Sequence, residues 1–178
     1  MNKPLLGGMA LTPLDRNEPL MRPGNTNCGG CGLSTLMQML RHAVADRPVH
    51  LVVPACCGAV TAGLYPQSVF GAPTLLSTFA SAAAAASGLA SVAQVNGEDT
   101  RVICIAGDGG TYDIGFATLS AAADRNEDVL YICYDNEIYG NTGGQRSSAT
   151  PAGAVASNLA APKKKKKKDI MAIMAAHR

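Results

Sequence analysis

The sequence has no tryptophan, and aromatic residues make up only 4% of its 178 residues. Alanine and glycine are abundant instead, which indicates close backbone packing or a close approach of backbone to a ligand. The N-terminal stretch carries prolines and charges where a signal peptide would have an apolar core, so we expect no secretory signal. The run of small residues at 80–86 is too short and too weakly hydrophobic to span a membrane. These absences favour a globular chain in the reducing cytoplasm.

Positive charge is concentrated in one segment. The formal net charge is +2, from 15 basic and 13 acidic residues, and six of the basic residues form the run Lys163 to Lys168. Without this run, the nine remaining basic residues are outnumbered by 13 acidic ones. The body of the chain is therefore mildly acidic and is not expected to bind nucleic acid. We predict that the lysine run is a solvated, mobile loop.

Segments in which hydrophobic residues recur at helical spacing are followed along the chain by short, continuous hydrophobic runs. This succession of helix and strand patterns is typical of an α/β fold. Strands are predicted at 49–53, 102–106 and 129–134. Helices are predicted at 33–44, 74–95, 114–125 and, with Asp169 as the N-cap, 170–176. Because strands joined by helical crossovers run parallel, we predict an open parallel sheet with helices on both faces.

Two regions of the sequence lack this periodicity. Residues 1–24 are predicted to form an N-terminal arm that wraps a neighbour or leads into the first motif, and residues 25–178 to form the domain itself. The segment 55–73, rich in glycine and proline, is predicted to be an active-site loop. The last predicted helix is barely established at Arg178, so we expect the domain to be C-terminally incomplete in this sequence.

Polar motifs follow two predicted strands at their carboxyl ends, where open parallel sheets bind ligands. Residues 107–110 read Gly-Asp-Gly-Gly, and Asp135 and Asn136 end the next strand. The Asp108 carboxylate suits magnesium, which prefers oxygen ligands, and the glycines let backbone N–H groups approach phosphate. A lone Gly-Asp-Gly is often only a turn, but the second motif at the neighbouring strand end favours a binding site.

The sequence of these motifs and of the residues that flank them resembles the thiamine-binding domain of the 2-oxoacid:ferredoxin oxidoreductase family, in particular the pyruvate:ferredoxin oxidoreductases. Residues 107–115 read Gly-Asp-Gly-Gly-Thr-Tyr-Asp-Ile-Gly, 134–145 read Tyr-Asp-Asn-Glu-Ile-Tyr-Gly-Asn-Thr-Gly-Gly-Gln, and 147–151 read Ser-Ser-Ala-Thr-Pro. The resemblance covers roughly residues 22–178, and it implies the fold of that domain, the β-subunit type of the family.

The resemblance implies a site for thiamine diphosphate and Mg²⁺. It implies that Asp108, Asn136 and the backbone carbonyl of Ile138 ligate the magnesium, and that the loop from Asn141 to Gln145 closes over the diphosphate. The cofactor-binding residues expected on this basis are Gly107, Asp108, Gly109, Gly110, Asn136, Ile138, Tyr139, Asn141, Thr142, Gly143 and Gln145. A plain turn at 141–144 is the alternative.

Four of the six cysteines form a second candidate site. Cys28 and Cys31 stand in a Cys-Gly-Gly-Cys loop whose two thiolates can chelate a metal or a cluster edge, although a zinc knuckle or a redox pair has the same spacing. The resemblance implies that this loop and a third cysteine, Cys56 or Cys57, hold one 4Fe-4S cluster near the thiazolium ring. We favour Cys56 slightly on spacing.

The fourth cluster ligand is not identified. In the resembled family it lies in the C-terminal part of the domain, beyond the end of this sequence. Cys104 and Cys133 each stand inside a predicted strand, where a free cysteine usually behaves as a small hydrophobic residue.

The resemblance implies oxidative decarboxylation of a 2-oxoacid, with pyruvate as the first choice and oxalate or another 2-oxoacid as alternatives. The thiazolium ring would act as the electron sink, the cluster would pass electrons to ferredoxin, and coenzyme A would commonly accept the acyl group. No strong general base is evident, so catalytic residues stay unassigned, and we expect an alpha-type partner subunit to complete the site in a hetero-oligomer. A cluster-free thiamine-dependent decarboxylase and a non-enzymatic electron-transfer module are the rival hypotheses.

Overall fold

A computed structural model of the chain describes residues 18–44, 47–64 and 67–177. Its strands are β1 (Val49–Pro54), β2 (Thr74–Ser77), β3 (Arg101–Gly107), β4 (Leu130–Tyr134), β5 (Ile138–Tyr139) and β6 (Gln145–Arg146). The first four form one sheet in the order β2-β1-β3-β4, in which every neighbouring pair is parallel. The last two form a small antiparallel ribbon. The predicted open parallel sheet is confirmed.

The helices connect these strands. They are α1 (Gly32–Val44), α2 (Cys57–Thr61), α3 (Ala82–Asn96), α4 (Phe116–Asp124) and α5 (Ile170–Met174), and a π-helical turn (Gly109–Asp113) lies between β3 and α4. Asp169 caps α5 as predicted, since its carboxylate accepts a hydrogen bond of 3.0 Å from Ala172 N. In the part of the chain that the structure describes, no helix has the length and apolar character needed to cross a membrane.

Successive residues of β3 face opposite sides of the sheet, and both sides are covered by helices. Ile103 and Ile105 pack in one core cluster with Met37 of α1. Cys104 packs in the opposite cluster with Ala86 of α3. Helices therefore cover both faces, as the sequence predicts, and the carboxyl ends of the strands stay clear at one edge.

The predicted helix over 74–95 is wrong at its start. Residues Thr74–Ser77 form β2, which pairs with β1 from Leu51 to Pro54, and the helix begins only at Ala82. Helical periodicity and a short apolar run are hard to distinguish over four residues. The unpaired edge of β1 offers backbone partners to this segment, and that pairing decides its conformation.

The other boundary differences are smaller. The predicted loop 55–73 contains the short helix α2, and residues 65–66 lie outside the described residues. The predicted helix 114–125 corresponds to α4, which the π-helical turn precedes.

Only the end of the predicted N-terminal arm, 18–24, falls within the described residues, and 1–17 lie outside them. Leu20 and Met21 are buried in the core that α1 and β1 form, and Met21 pairs with Phe70 in an antiparallel bridge. This end of the arm therefore packs against the domain itself.

Candidate functional site

A cavity of about 400 Å³ lies at the carboxyl ends of β1, β3 and β4. This is the edge at which open parallel sheets bind ligands, and the volume is in the range of small-molecule sites. Ten of the residues predicted to bind cofactor or metal line the cavity, namely Cys56, Cys57, Gly107, Asp108, Gly109, Asn136, Ile138, Tyr139, Asn141 and Thr142. Gly110, Gly143 and Gln145 are absent from its lining, as are Cys28 and Cys31.

The three predicted magnesium ligands converge on one point of this cavity. One end of the Asn136 amide lies 3.1 Å from Asp108 Oδ1 and 2.8 Å from the carbonyl oxygen of Ile138. If the amide nitrogen occupies that end, it donates a hydrogen bond to each of these oxygens. If the amide oxygen occupies it, three oxygen atoms face one another, and the nitrogen points to Cys57 Sγ at 3.7 Å.

The backbone at Glu137 makes this convergence possible. Glu137 has φ of +65°, a left-handed conformation that is uncommon for a residue other than glycine. The turn is held by a 3.0 Å hydrogen bond from Glu137 N to Asp135 Oδ1, and Thr150 Oγ1 donates to the Glu137 carbonyl. The strained turn brings the carbonyl of Ile138 to the same side as Asn136.

Asp108 is buried, with 3% of its surface exposed, and Ser147 Oγ donates a hydrogen bond to its Oδ2. Burial raises the pKa of Asp108 above its usual value, against the opposing effect of the hydrogen bond from Ser147. A buried carboxylate costs free energy unless a donor or a cation compensates its charge. Ser147 compensates one oxygen, and the other oxygen faces the cavity side with Asn136.

The segment 147–150, which we call the hydroxyl loop, supports the site from behind. Ser147 N donates to Thr150 Oγ1 at 2.9 Å, and Ala149 N donates to Ser147 Oγ at 3.1 Å. Through Ser147 the loop holds Asp108, and through Thr150 it holds the carbonyl of Glu137. One short loop thus fixes both strand ends that carry the candidate ligands.

Tyr139 closes one side of the cavity and explains the glycine at position 109. A Cβ atom on Gly109 would lie 2.1 Å from Cε1 of the Tyr139 ring. The ring is fixed at its other end, because Tyr139 Oη donates a 2.8 Å hydrogen bond to Asp113 Oδ2. Burial tends to raise the pKa of Asp113, but hydrogen bonds from Ser148 and Tyr139 outweigh it and hold that pKa below its usual value.

Cys57 lies between the two asparagines of the cavity. Its Sγ is 3.7 Å from Asn141 Oδ1, whereas the Cys56 thiol donates a 2.9 Å hydrogen bond to the Pro54 carbonyl. Burial raises the pKa of the Cys57 thiol, and the charges of Cys56, Cys31 and Cys28 raise it further. Cys56 and Cys57 both line the cavity, whereas Cys28 and Cys31 do not. Within residues 18–44, 47–64 and 67–177, no three His, Cys, Asp or Glu side chains form a metal-binding group.

The two strand cysteines have different surroundings. Cys104 is fully buried in the core, and burial raises the pKa of its thiol to about 12. Cys133 is partly buried, and burial raises its pKa to about 11. Both are packed as small hydrophobic residues, as the sequence predicts.

The prediction of a solvated loop for the lysine run is wrong at both of its ends. Lys163 is buried, and its Nζ donates to backbone carbonyls of the hydroxyl loop. Lys167 Nζ lies 2.6 Å from Asp135 Oδ2, and Lys168 Nζ donates to the Tyr112 carbonyl. Residues 164–167 are exposed, and of these Lys167 forms ion pairs with Asp135 and Glu137. A run of identical charges gives no sequence signal for which members will find partners.

Residues outside the predicted set complete the site. Ser147 and Thr150 belong to a stretch that carries the family resemblance, but sequence analysis assigns them no role. Asp113 likewise lies inside a quoted motif. Their concentration of hydroxyl and carboxyl groups near the glycine motif is the signal that points to them, and it is a weak one, because such residues are also common in turns.

Residues 55–178 match the model of the family described as thiamine pyrophosphate enzyme, C-terminal TPP binding domain. Ketoisovalerate oxidoreductase subunit VorB of Pyrococcus abyssi is 42% identical over 166 residues, which are 87% of this chain and 53% of that protein. Pyruvate synthase subunit PorB of Methanothermobacter thermautotrophicus is 38% identical over 168 residues, which are 90% of this chain and 57% of that protein.

A solved structure shares the fold. It is a 2-oxoglutarate:ferredoxin oxidoreductase from Magnetococcus marinus with 2-oxoglutarate, coenzyme A and succinyl-CoA bound. The TM-score is 0.77 at 21% sequence identity, over 92% of this chain and 55% of that chain. The chain spans about half the length of the curated relatives it matches.

Proposed function

Because the chain belongs to the thiamine pyrophosphate enzyme family through its C-terminal TPP binding domain, we propose that it is the thiamine-diphosphate-binding subunit of a 2-oxoacid:ferredoxin oxidoreductase. Two of its relatives are a subunit of a ketoisovalerate oxidoreductase and a subunit of a pyruvate synthase. In this proposal the cofactor occupies the cavity at the carboxyl ends of β1, β3 and β4.

The observation that carries the proposal is the convergence of Asp108, Asn136 and Ile138. Magnesium holds oxygen ligands at about 2.0–2.1 Å in an octahedron, which places neighbouring ligand oxygens about 2.9 Å apart. In the metal-free site the Asn136 amide nitrogen can donate to both oxygens, and with the amide oxygen turned to that end the separations of 3.1 Å and 2.8 Å match that edge length. The donor set is one carboxylate, one amide and one backbone carbonyl, all hard oxygen donors of the kind that magnesium accepts. The residues present therefore fit the ion.

The thiazolium ring of the bound cofactor supplies the electron sink for decarboxylation. The residues of this chain would bind and orient the cofactor: Asp108, Asn136 and Ile138 would hold a magnesium ion, and Tyr139 limits the cavity on one side. Asp108 is the only carboxylate among the described residues that line the cavity. Since it is committed to the metal, we infer that a partner subunit supplies the acid–base group, which makes the enzyme a hetero-oligomer.

We further propose that Cys28, Cys31 and one of the paired cysteines hold a 4Fe-4S cluster beside the cavity. Spacing in the sequence slightly favours Cys56 as the third ligand. The positions of the two thiols in the structure favour Cys57 instead. The Cys57 thiol lies between the side chains of Asn136 and Asn141, at 3.7 Å from each. The Cys56 thiol is instead directed to the Pro54 carbonyl. The fourth ligand stays unassigned.

The cluster would pass electrons to ferredoxin, and coenzyme A would accept the acyl group, as the family resemblance of the sequence motifs implies. Pyruvate remains the predicted substrate. Oxalate or another 2-oxoacid is the alternative within the family, because part of the substrate pocket would lie on the partner subunit. We place the enzyme in the cytoplasm, where a reducing environment keeps cluster thiolates available.

The test is the content of iron, acid-labile sulfide and thiamine diphosphate in the anaerobically purified native complex that contains this chain. The proposal expects all three. Thiamine diphosphate without iron would replace it with a cluster-free decarboxylase. Iron without thiamine diphosphate would replace it with an electron-transfer module.

A further inference from the structure

The six consecutive lysines divide into two groups by environment. Three of them, Lys163, Lys167 and Lys168, have their ammonium groups bound to the segments that carry the candidate site. The other three, Lys164–Lys166, are exposed. The most buried member is Lys163, with 7% of its surface exposed. A lysine is almost never buried to this degree unless its charge is matched by acceptors.

The acceptors of Lys163 are backbone carbonyls of the hydroxyl loop. Its Nζ lies 3.4 Å from the carbonyl oxygens of both Ser147 and Ser148 and donates to that of Thr150. Three carbonyls of one four-residue loop thus point at a single ammonium group. An ammonium with three donors can satisfy all of them at once, so the side chain fixes the curvature of the loop.

The backbone around Lys163 is also fixed. Lys163 N donates to the Ala154 carbonyl at 2.9 Å, and Gly153 N donates to the Lys163 carbonyl at 2.8 Å. Further along, Lys168 N donates to the Ser148 carbonyl at 3.0 Å. The lysine run therefore lies against the hydroxyl loop through main-chain as well as side-chain contacts.

Two routes lead from the hydroxyl loop to the candidate metal ligands. Ser147 Oγ donates to Asp108 Oδ2, and Thr150 Oγ1 donates to the carbonyl of Glu137, the residue between Asn136 and Ile138. Removing the ammonium would take a donor from all three carbonyls. Those of Ser147 and Ser148 would keep backbone donors, Thr150 N and Lys168 N, whereas the Thr150 carbonyl would lose the donor that Lys163 supplies, and the loop would relax there. The relaxation would reach both Asp108 and the turn at Glu137.

We propose that Lys163 is a positioning residue for the metal site: its ammonium fixes the hydroxyl loop, which in turn sets the positions of Asp108 and the Glu137 turn. This inference rests on the proposed function, because it takes the three converging oxygens as magnesium ligands. Lys163 touches neither the cavity nor the ligands themselves.

The experiment compares Lys163→Met with Lys165→Met in the native complex. Both variants remove one positive charge from the same run, but Lys165 is exposed. Binding of thiamine diphosphate is measured as a function of Mg²⁺ concentration. We expect Lys163→Met to raise the half-saturating Mg²⁺ concentration roughly tenfold and Lys165→Met to leave it within about twofold.

A double-mutant cycle with Ser147→Ala separates positioning from general destabilisation. If Lys163 acts through Ser147, Lys163→Met adds less to the half-saturating Mg²⁺ concentration in the Ser147→Ala background than in the wild type. Fully additive effects would overturn the proposal. Should the Lys163→Met complex fail to assemble, Lys163→Gln replaces it in the same cycle, with the same expected rise and the same contrary result.

The same measurements distinguish a failure of the role of Lys163 from a failure of the proposed function. A wild-type Mg²⁺ requirement in the Lys163 variants, with the requirement lost or shifted in Asp108→Asn, would overturn the role of Lys163 alone. A wild-type complex that binds no thiamine diphosphate at any Mg²⁺ concentration would overturn both.

Discussion

Asp108 Oδ1 and the side-chain amide of Asn136 lie 3.1 Å apart at the adjoining carboxyl ends of β3 and β4. The parallel register places Gly107 opposite Tyr134, so the residues that follow these two leave the sheet side by side. The βαβ crossover thus turns two distant sequence motifs into one site.

Replacing Gly109 with alanine should weaken thiamine diphosphate binding roughly tenfold or more at saturating Mg²⁺, because the new Cβ would lie 2.1 Å from the Tyr139 ring and displace it. The measurement is a cofactor titration of the native complex. Gly88→Ala is the matched control, since Gly88 is exposed in α3 and a Cβ there meets nothing within 4 Å. The control should bind normally and be stabilised by about 0.5–1 kcal/mol. Equal affinities in the two variants would contradict the account of Tyr139.

The choice between the paired cysteines can be tested by iron content. We expect Cys57→Ala to lose most of the iron of the anaerobically purified complex and Cys56→Ala to retain it, because only the Cys57 thiol faces the cavity asparagines. Removing one thiolate of a cluster leaves it underligated. The reverse pattern would assign the cluster to Cys56, and iron retained in both variants would remove this pair from the ligand set.

Cys104 and Cys133 should resist alkylation in the folded chain. Burial raises their pKa values to about 12 and about 11. At about pH 8 the reactive thiolate is then on the order of 10⁻⁴ to 10⁻³ of each thiol. Iodoacetamide labelling read by mass spectrometry should leave both unmodified while exposed Cys28 reacts in the cluster-free protein. All six cysteines should react in denaturant. Rapid labelling of Cys104 in the native state would show that β3 is not packed as described.

Asp169 should contribute to the stability of the C-terminal helix α5. Replacing it with alanine removes the acceptor for Ala172 N and should lower the free energy of unfolding of this segment by about 0.5–2 kcal/mol. Asp169→Asn, which keeps a side-chain oxygen, should behave close to the wild type. Hydrogen exchange at the amides of α5 measures the effect locally. Faster exchange in both variants alike would mean that charge, and not the cap, is responsible.

Much of the fold follows from local patterns in the sequence. The runs at 49–53 and 102–106 are apolar and short, and each forms a strand whose two faces are largely buried. The run at 129–134 forms β4 at the edge of the sheet, where its residues are exposed or only partly buried. The strand at Thr74–Ser77 could not be found this way. Its conformation depends on the free edge of β1, a partner that is distant in sequence.

Part of the candidate site is predictable because it follows from the positions of the strands. Asp108 and Asn136 are found because they stand one and two residues after the ends of neighbouring parallel strands, so the topology brings them together. Ser147 contacts Asp108, and Lys163 contacts the hydroxyl loop behind it. Both residues stand in a segment without regular secondary structure, and no periodicity places such residues. A buried lysine in a run of six is determined only by which carbonyls meet it in the folded chain.

The central claim is that Asp108 holds the magnesium through which thiamine diphosphate binds. The most direct test is the Mg²⁺ dependence of thiamine diphosphate binding in the native complex, compared between wild type, Asp108→Asn and Asp128→Asn. Asparagine preserves the shape of Asp108, and Asp128 is an exposed aspartate just before β4 that serves as the control. We predict saturable, Mg²⁺-dependent binding in the wild type and in Asp128→Asn, and a loss of at least about a hundredfold in Asp108→Asn. Wild-type affinity and Mg²⁺ dependence in Asp108→Asn would contradict the claim.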